Sequence, residues 1–173
     1  MLDVWATFRD HFETDDGSLP EVGLGQLESH QVSAICRDID HWIASANADA
    51  LAVVTPYDRC GFQVASLSEA ATRVLQEQQA TARASIKGMV VGEVHLPELV
   101  VYVFPDGVTI EYEMGPSWNG SRVRAFLTLL QSMSSAGAAT SLRFFEFENK
   151  DAFLSSWRLF NQAEPYFPSK ANQ

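Results

Sequence analysis

Residues 99–114 have the sequence LVVYVFPDGVTIEYEM and carry the clearest structural pattern in the chain. The triplet Pro105-Asp106-Gly107 has turn chemistry, because proline presets its own backbone angle and glycine tolerates positive φ. After this turn, residues 108–114 alternate apolar with polar side chains, which is the period of a strand with one buried and one wet face. We therefore predict an antiparallel hairpin, which residues 88–94 extend to a meander over 88–114.

Amphipathic patterns predict helices on both sides of the meander. Residues 26–46 place their apolar side chains on one helical face. Ser66 and Glu69 have the spacing of a capping box, which predicts the start of a second helix. A third helix is predicted over residues 117–135, and a fourth begins after Asn149, whose side chain is a good N-cap.

The remaining segments are predicted to be strands and loops. Short apolar runs at 51–54 and 142–147 are typical of buried strands, while residues 3–13 fit either a short helix or a strand. Loop or exposed polar composition marks residues 14–25, 57–65, 76–84 and an irregular C-terminal tail, 163–173. The chain is thus predicted to be a single α+β domain over 1–173, with about four helices packed on a largely antiparallel sheet of about four to five strands.

Composition excludes several classes of protein. The 173 residues include 11 Phe, 4 Trp and 4 Tyr, which supply core material that disordered chains lack. Two cysteines are too few for a disulfide scaffold. No apolar run approaches the length of about 20 residues that a membrane-spanning helix needs, and the first residues lack the pattern of a signal peptide. A cytoplasmic protein with reduced thiols is the expectation.

The charge of the chain is strongly segregated. The 22 acidic and 12 basic residues give a net charge of −10. Between Arg9 and Arg37 lie six acidic residues and no basic one, and between Lys87 and Arg122 lie five and none. Such a field disfavours binding to nucleic acid and to anionic membranes, whereas it accelerates association with a basic protein. A single acidic face requires that these two acidic segments lie together.

We therefore predict a partner-binding surface on the acidic segments. Its candidate residues are Asp15, Asp16, Glu21, Asp106, Glu111, Glu113 and Trp118. Trp118 follows the meander, and an exposed tryptophan would be a natural binding anchor. Packing of Trp118 in the core is the other interpretation.

An alternative site could use the carboxylates of two strands. Glu111 and Glu113 point to the same side of their strand about 7 Å apart, and Glu146 and Glu148 repeat this arrangement. Such pairs can perform glycoside chemistry or hold a divalent metal. Outward glutamates are equally typical of a solvated sheet face.

Histidine and cysteine indicate no definite centre. His30 and His41 share a helix face but are about 16 Å apart along its axis, so one metal cannot bridge them. Cys60 is a candidate nucleophile, since Arg59 would favour its thiolate, but no partner histidine can be placed. Cys36 falls on the apolar helix face and is predicted to be core. No metal and no cofactor is predicted.

These observations favour binding over catalysis. The leading hypothesis is a non-enzymatic acidic protein that binds another protein, in its concrete form an immunity-protein-like or antitoxin-like inhibitor of a basic toxin or enzyme. One alternative is a small enzyme or a ligand- or metal-binding domain that uses the strand carboxylates. Another is a structural or self-assembling protein that uses an uncovered sheet edge.

Overall fold

The computed structural model describes residues 2–14, 17–43, 47–54, 62–77, 81–138, 141–145 and 147–166. These ranges contain five α-helices, a short 3₁₀ turn and nine strands. In chain order they are α1 (Val4–Phe8), the 3₁₀ turn (Arg9–His11), β1 (Glu21–Gly25), α2 (Ser29–Ile43), β2 (Asn47–Val54), β3 (Phe62–Val64), α3 (Leu67–Glu77), β4 (Thr81–Lys87), β5 (Val90–Val91), β6 (Val94–His95), β7 (Leu99–Phe104), β8 (Gly107–Tyr112), α4 (Gly120–Ala136), β9 (Leu142–Phe145) and α5 (Lys150–Ala163).

Seven of the strands form one antiparallel sheet in the order β3-β2-β4-β7-β8-β1-β9. The predicted hairpin is its centre, where Val101 of β7 lies opposite Ile110 of β8. Strands β5 and β6, which follow β4 and precede β7 in the chain, pair with each other as a small separate ribbon. The predicted α+β class with an antiparallel sheet is therefore confirmed, although the sheet is larger than expected.

The helices pack on one face of this sheet, and the alternation along β7 shows which face it is. Leu99, Val101 and Val103 are fully buried, whereas the residues between them are partly exposed. Beneath the sheet, Phe12, Tyr112, Trp118 and Phe126 form an aromatic cluster with ring centroids 4.7 to 5.7 Å apart. Edge-to-face contacts within such a cluster add stability beyond the burial of apolar area.

Helix α3 is capped both by side chains at its own N-terminus and by a side chain of helix α2. As predicted, the Ser66 hydroxyl accepts a hydrogen bond from the Glu69 amide at 3.1 Å, and the Glu69 carboxylate accepts one from Ala65 at 2.9 Å. Asp40 of α2 accepts two more from the amides of Leu67 and Ser68, both at 2.9 Å. The side chain of Asn149, in contrast, makes no capping hydrogen bond to α5, because this residue has a left-handed backbone with φ of 55°.

Three segments differ from the sequence prediction. The sequence predicts a loop over residues 14–25, but Glu21–Gly25 forms an inner strand of the sheet. It predicts an exposed stretch over residues 76–84, but Thr81 begins β4, in which small alanine side chains face the helices and give little hydrophobic signal. The predicted strand 88–94 is instead part of the β5–β6 ribbon.

The short strand β3 also falls within a predicted loop. The sequence predicts a loop over residues 57–65, whereas Phe62–Val64 pairs with β2 at one end of the sheet. Three residues are too few to show a period of two. Among the described residues, no helix is long and apolar enough to cross a membrane.

Glycine permits the close approach of β1 to β8. A Cβ atom at Gly23 would lie against the backbone of Val108 and Thr109, far inside van der Waals contact. We expect Gly23→Ala to lower the free energy of unfolding by about 3 kcal/mol, because the strands must separate to admit the methyl group. Urea denaturation measures this loss.

Gly88→Ala is the matched control for this substitution. Gly88 has φ of +73°, and nothing lies within 4 Å of the position that an alanine methyl group would take there, so the change costs only backbone strain of about 1 kcal/mol. Equal losses for the two variants would contradict a steric role for Gly23.

Candidate functional site

The face of the sheet opposite the helices is its open face. No described helix covers this face, and its side chains come from five adjacent strands. Those that matter for the site are Glu21, Arg83, Tyr102, Phe104, Thr109, Glu111, Arg143 and Phe145. Apart from the buried Thr109, all of them are partly or fully exposed. The open face is therefore a regular, accessible surface that the described residues offer to a partner.

Two glutamates from the separate acidic segments meet on the open face. Glu21 of β1 lies directly opposite Glu111 of β8. Like charges in this position destabilise a sheet, but each carboxylate has a hydroxyl donor. The Thr109 hydroxyl donates to Glu21, and the Tyr102 hydroxyl donates to Glu111 at 3.2 Å. The two acidic segments thus adjoin through the β1–β8 pairing.

Arg143 lies beside this pair of carboxylates. Its guanidinium lies over two aromatic rings, 5.1 Å from the centroid of Phe104 and 4.7 Å from that of Phe145. It also pairs with Asp106 at 3.2 Å, so Asp106 is neutralised within the chain. The aliphatic part of Arg143 crosses Gly25, where a Cβ atom would lie 2.8 Å from its Cδ.

A groove of about 410 Å³ runs between these side chains. It is lined by Leu19, Glu21, Phe104, Glu111, Arg143 and Phe145, and we call it the glutamate groove. Leu19 is 43% exposed and Phe145 is 37% exposed, although both are large and apolar. The groove thus combines carboxylate oxygens with aromatic and aliphatic walls, which suits a long side chain carrying a positive charge.

A second, smaller cavity of about 150 Å³ lies beside buried His11. The His11 ring contacts Phe147 and Phe153 at centroid distances of 5.6 and 5.3 Å. Burial lowers the pKa of His11 below its usual value of 6.5, against a smaller raising effect of the Asp10 carboxylate. Burial therefore favours the neutral imidazole in the folded protein.

The carboxylates of the alternative catalytic site are divided between two places. Glu111 lines the glutamate groove, whereas Glu148 lines the His11 cavity. Glu113 is exposed just beyond the end of β8, and Glu146 lies outside the described residues. Within the described ranges, no group of three or more histidine, cysteine or acidic residues could hold a metal ion.

Trp118 corrects one sequence expectation. Its side chain is only 4% exposed, and it packs against Phe12, Tyr112 and Phe126. Its indole nitrogen donates to the backbone carbonyl of Glu113 at 2.8 Å. Trp118 is therefore a core residue and not an exposed anchor, because the aromatic cluster and the Glu113 carbonyl together hold its indole in the interior.

Several of the other candidates lie at undescribed positions or in the core. Asp15, Asp16 and Cys60 lie outside the described residues, while Cys36 is fully buried, as predicted. Sequence reasoning missed the aromatic and arginine side chains of the groove. The phenylalanines of 142–147 fall on both faces of a strand, which predicts a central strand covered on each side. Among the described strands β9 is instead the last of the sheet, and Phe145 is exposed on the open face.

Comparison with known proteins shows the fold but not the family. No family model matches the sequence, and no curated protein matches it. One similar solved chain belongs to the crystal structure of the toxic C-terminal tip of CdiA from Pseudomonas aeruginosa in complex with immune protein. The TM-score is 0.52 at 14% sequence identity, over 77% of this chain and 88% of that chain. The two chains share a fold.

The buried His11 generates a pH-dependent stability. Between the lowered pKa of the folded state and the ordinary value of 6.5, the unfolded chain binds more protons, so the free energy of unfolding falls as the pH drops through this window. His11→Phe removes this contribution, and we expect its stability to fall less than that of the wild type between pH 7.5 and pH 5.5. Urea denaturation at both pH values measures the difference.

Exposed His30 provides the control for this measurement. The His30→Gln variant is expected to keep the wild-type pH dependence of stability, because the side chain that it replaces is exposed. An unchanged pH dependence in His11→Phe would show that burial of His11 does not couple folding to protons.

The contacts of Arg143 predict that packing outweighs its ion pair. Asp106 is 62% exposed, so this surface pair contributes little, and Asp106→Asn should cost less than about 0.5 kcal/mol. Arg143→Ala also removes two aromatic contacts and should cost about 1 to 2 kcal/mol. Equal losses in urea denaturation, or a loss for Arg143→Ala that vanishes in high salt, would assign the stability to the ion pair instead.

Proposed function

We propose that this chain is a protein-binding inhibitor of the immunity-protein type, which neutralises a toxic protein by binding to it. The observation that carries the proposal is the open face of the sheet, where two acidic segments converge on a groove with exposed apolar walls. The shared fold supports it, because the similar chain belongs to a complex between a toxic domain and an immune protein.

The charge of the chain suits this task. A net charge of −10 attracts a basic partner over long range and raises the rate of encounter. Fast association matters for an inhibitor that must act before its target does. The division of Glu111 and Glu148 between separate cavities also favours binding over a catalytic pair of carboxylates.

The proposed mechanism is occlusion by a preformed surface. A sheet held by cross-strand hydrogen bonds loses little conformational freedom on binding, so little of the interaction energy is offset by ordering. A stable complex of this kind buries about 1,200 to 2,000 Å² in total. The open face would meet the positively charged surface of the toxin and cover the site at which it acts.

Growth protection tests the proposal directly. The product of the gene adjacent to the one that encodes this chain is induced in a bacterial host, alone and together with this chain. We expect the neighbour to arrest growth, this chain to restore it, and the purified pair to elute as one complex. The affinity of the pair, measured by calorimetry, should weaken as salt screens the charges.

Two results would contradict the proposal. One is growth arrest by this chain expressed alone, which would assign it to the toxic member of such a pair. The other is a toxic neighbour that neither binds this chain nor loses toxicity beside it. Circular dichroism of the purified chain shows in either case whether the tested protein is folded.

A further inference from the structure

The glutamate groove has the chemistry of a receptor for a guanidinium group. We propose that it receives an arginine side chain from an exposed segment of the partner protein, with the charged head at Glu111 and Glu21 and the methylenes along Leu19 and Phe145. The inference rests on the proposed function and deepens it, since it names the contact that would join the two proteins.

The charge of the groove selects a cationic occupant. Glu111 accepts a hydrogen bond from Tyr102 through Oε2 and forms no ion pair with any residue in the described ranges. Its cross-strand neighbour Glu21 adds a second negative charge. The one positive side chain of the lining, Arg143, pairs with Asp106. Covering Glu111 with an apolar partner would remove its hydration without compensation, whereas a guanidinium supplies both charge balance and hydrogen bonds.

The carboxylate of Glu111 favours arginine among cations. Phe104 and Phe145 hold the guanidinium of Arg143 against their rings, so the charged head of an incoming side chain lies at the carboxylate rather than on these rings. Arginine stacks on aromatic faces and binds carboxylates with two parallel hydrogen bonds, which the compact ammonium of lysine cannot do. The partly exposed Leu19 offers apolar surface to the aliphatic stem.

A second copy of this chain is a poorer occupant. Each copy carries a net charge of −10, so two copies repel one another before contact. A basic segment of another protein is attracted by the same field. Charge complementarity therefore favours a partner of different composition over self-association.

The test uses short peptides that do not depend on the identity of the toxin. A glycine-flanked arginine peptide and the same peptide with citrulline in place of arginine are titrated into ¹⁵N-labelled protein. Citrulline keeps the shape of arginine and removes its charge. We expect saturable amide shifts around Leu19, Glu111 and Phe145, with affinity for the citrulline peptide at least about tenfold weaker.

Matched glutamine substitutions localise the effect. Glu111→Gln should weaken binding of the arginine peptide about tenfold, since it removes the charge and keeps the size of the side chain. Glu77→Gln removes an exposed charge at the end of α3, outside the glutamate groove, and should leave the affinity unchanged within twofold. The unperturbed remainder of each spectrum shows that the variant is folded.

Several outcomes would overturn the inference. These are equal affinity for the arginine and citrulline peptides, no binding of either, shifts confined to other surfaces, or no effect of Glu111→Gln. A concentration-dependent dimer abolished by Phe145→Ser would assign the groove to a second copy of the chain.

The two proposals can fail separately. If Glu111→Gln and Glu21→Gln leave both growth protection and toxin affinity intact, the inhibitor proposal stands and the groove is not its contact. If the arginine peptide binds in the groove but the chain protects against no toxin, the groove stands and the inhibitor proposal fails.

Discussion

The close pairing of β1 with β8 is the contact on which the rest of the structure depends. It brings the N-terminal segment into the sheet, where β1 joins the central meander to β9. Gly23 makes the approach possible, since any side chain there would meet the backbone of Val108. Without this pairing, β1 and β9 would be separated from the other strands of the sheet, and neither Arg143 nor Phe145 would lie beside Glu111.

Burial of apolar surface explains why the opposite face stays open. The alternating strands β7 and β8 supply one continuous apolar face, and the helices and the aromatic cluster around Phe12 and Trp118 cover it. The apolar stripes of the helices are buried against that face, so they are not available to cover the other face. The other face keeps polar and aromatic side chains in contact with water, which antiparallel sheets tolerate.

The location of the negative charge bears more on function than its sum. A net charge of −10 promotes solubility in any protein and favours no particular contact. Hydrogen-bond register places one glutamate of each acidic segment at a shared groove, beside exposed aromatic walls. Other acidic residues are neutralised within the chain, as Asp106 is by Arg143. The groove therefore places negative charge from both acidic segments at one surface site, and such a site can select a partner.

Local patterns in the sequence determined most of the elements. The period of two in residues 108–114, the apolar stripe of α2 and the capping residue Ser66 all depend on neighbours in the chain, so they can be recognised without a structure. The α+β class follows from their order. Composition likewise determined that the chain has a core and a strongly acidic surface.

Long-range contacts decided the rest. The two glycines of Glu21–Gly25 make its sequence typical of a loop. The segment is a strand because β8 and β9 pair with it on both sides. The burial of Trp118 depends on rings distant in sequence, and the meeting of Glu21 with Glu111 depends on register between strands 90 residues apart. Side-chain periodicity shows which face of a strand or helix each residue belongs to. Only the pairing of strands in the folded protein decides which residues lie together on one face of the sheet.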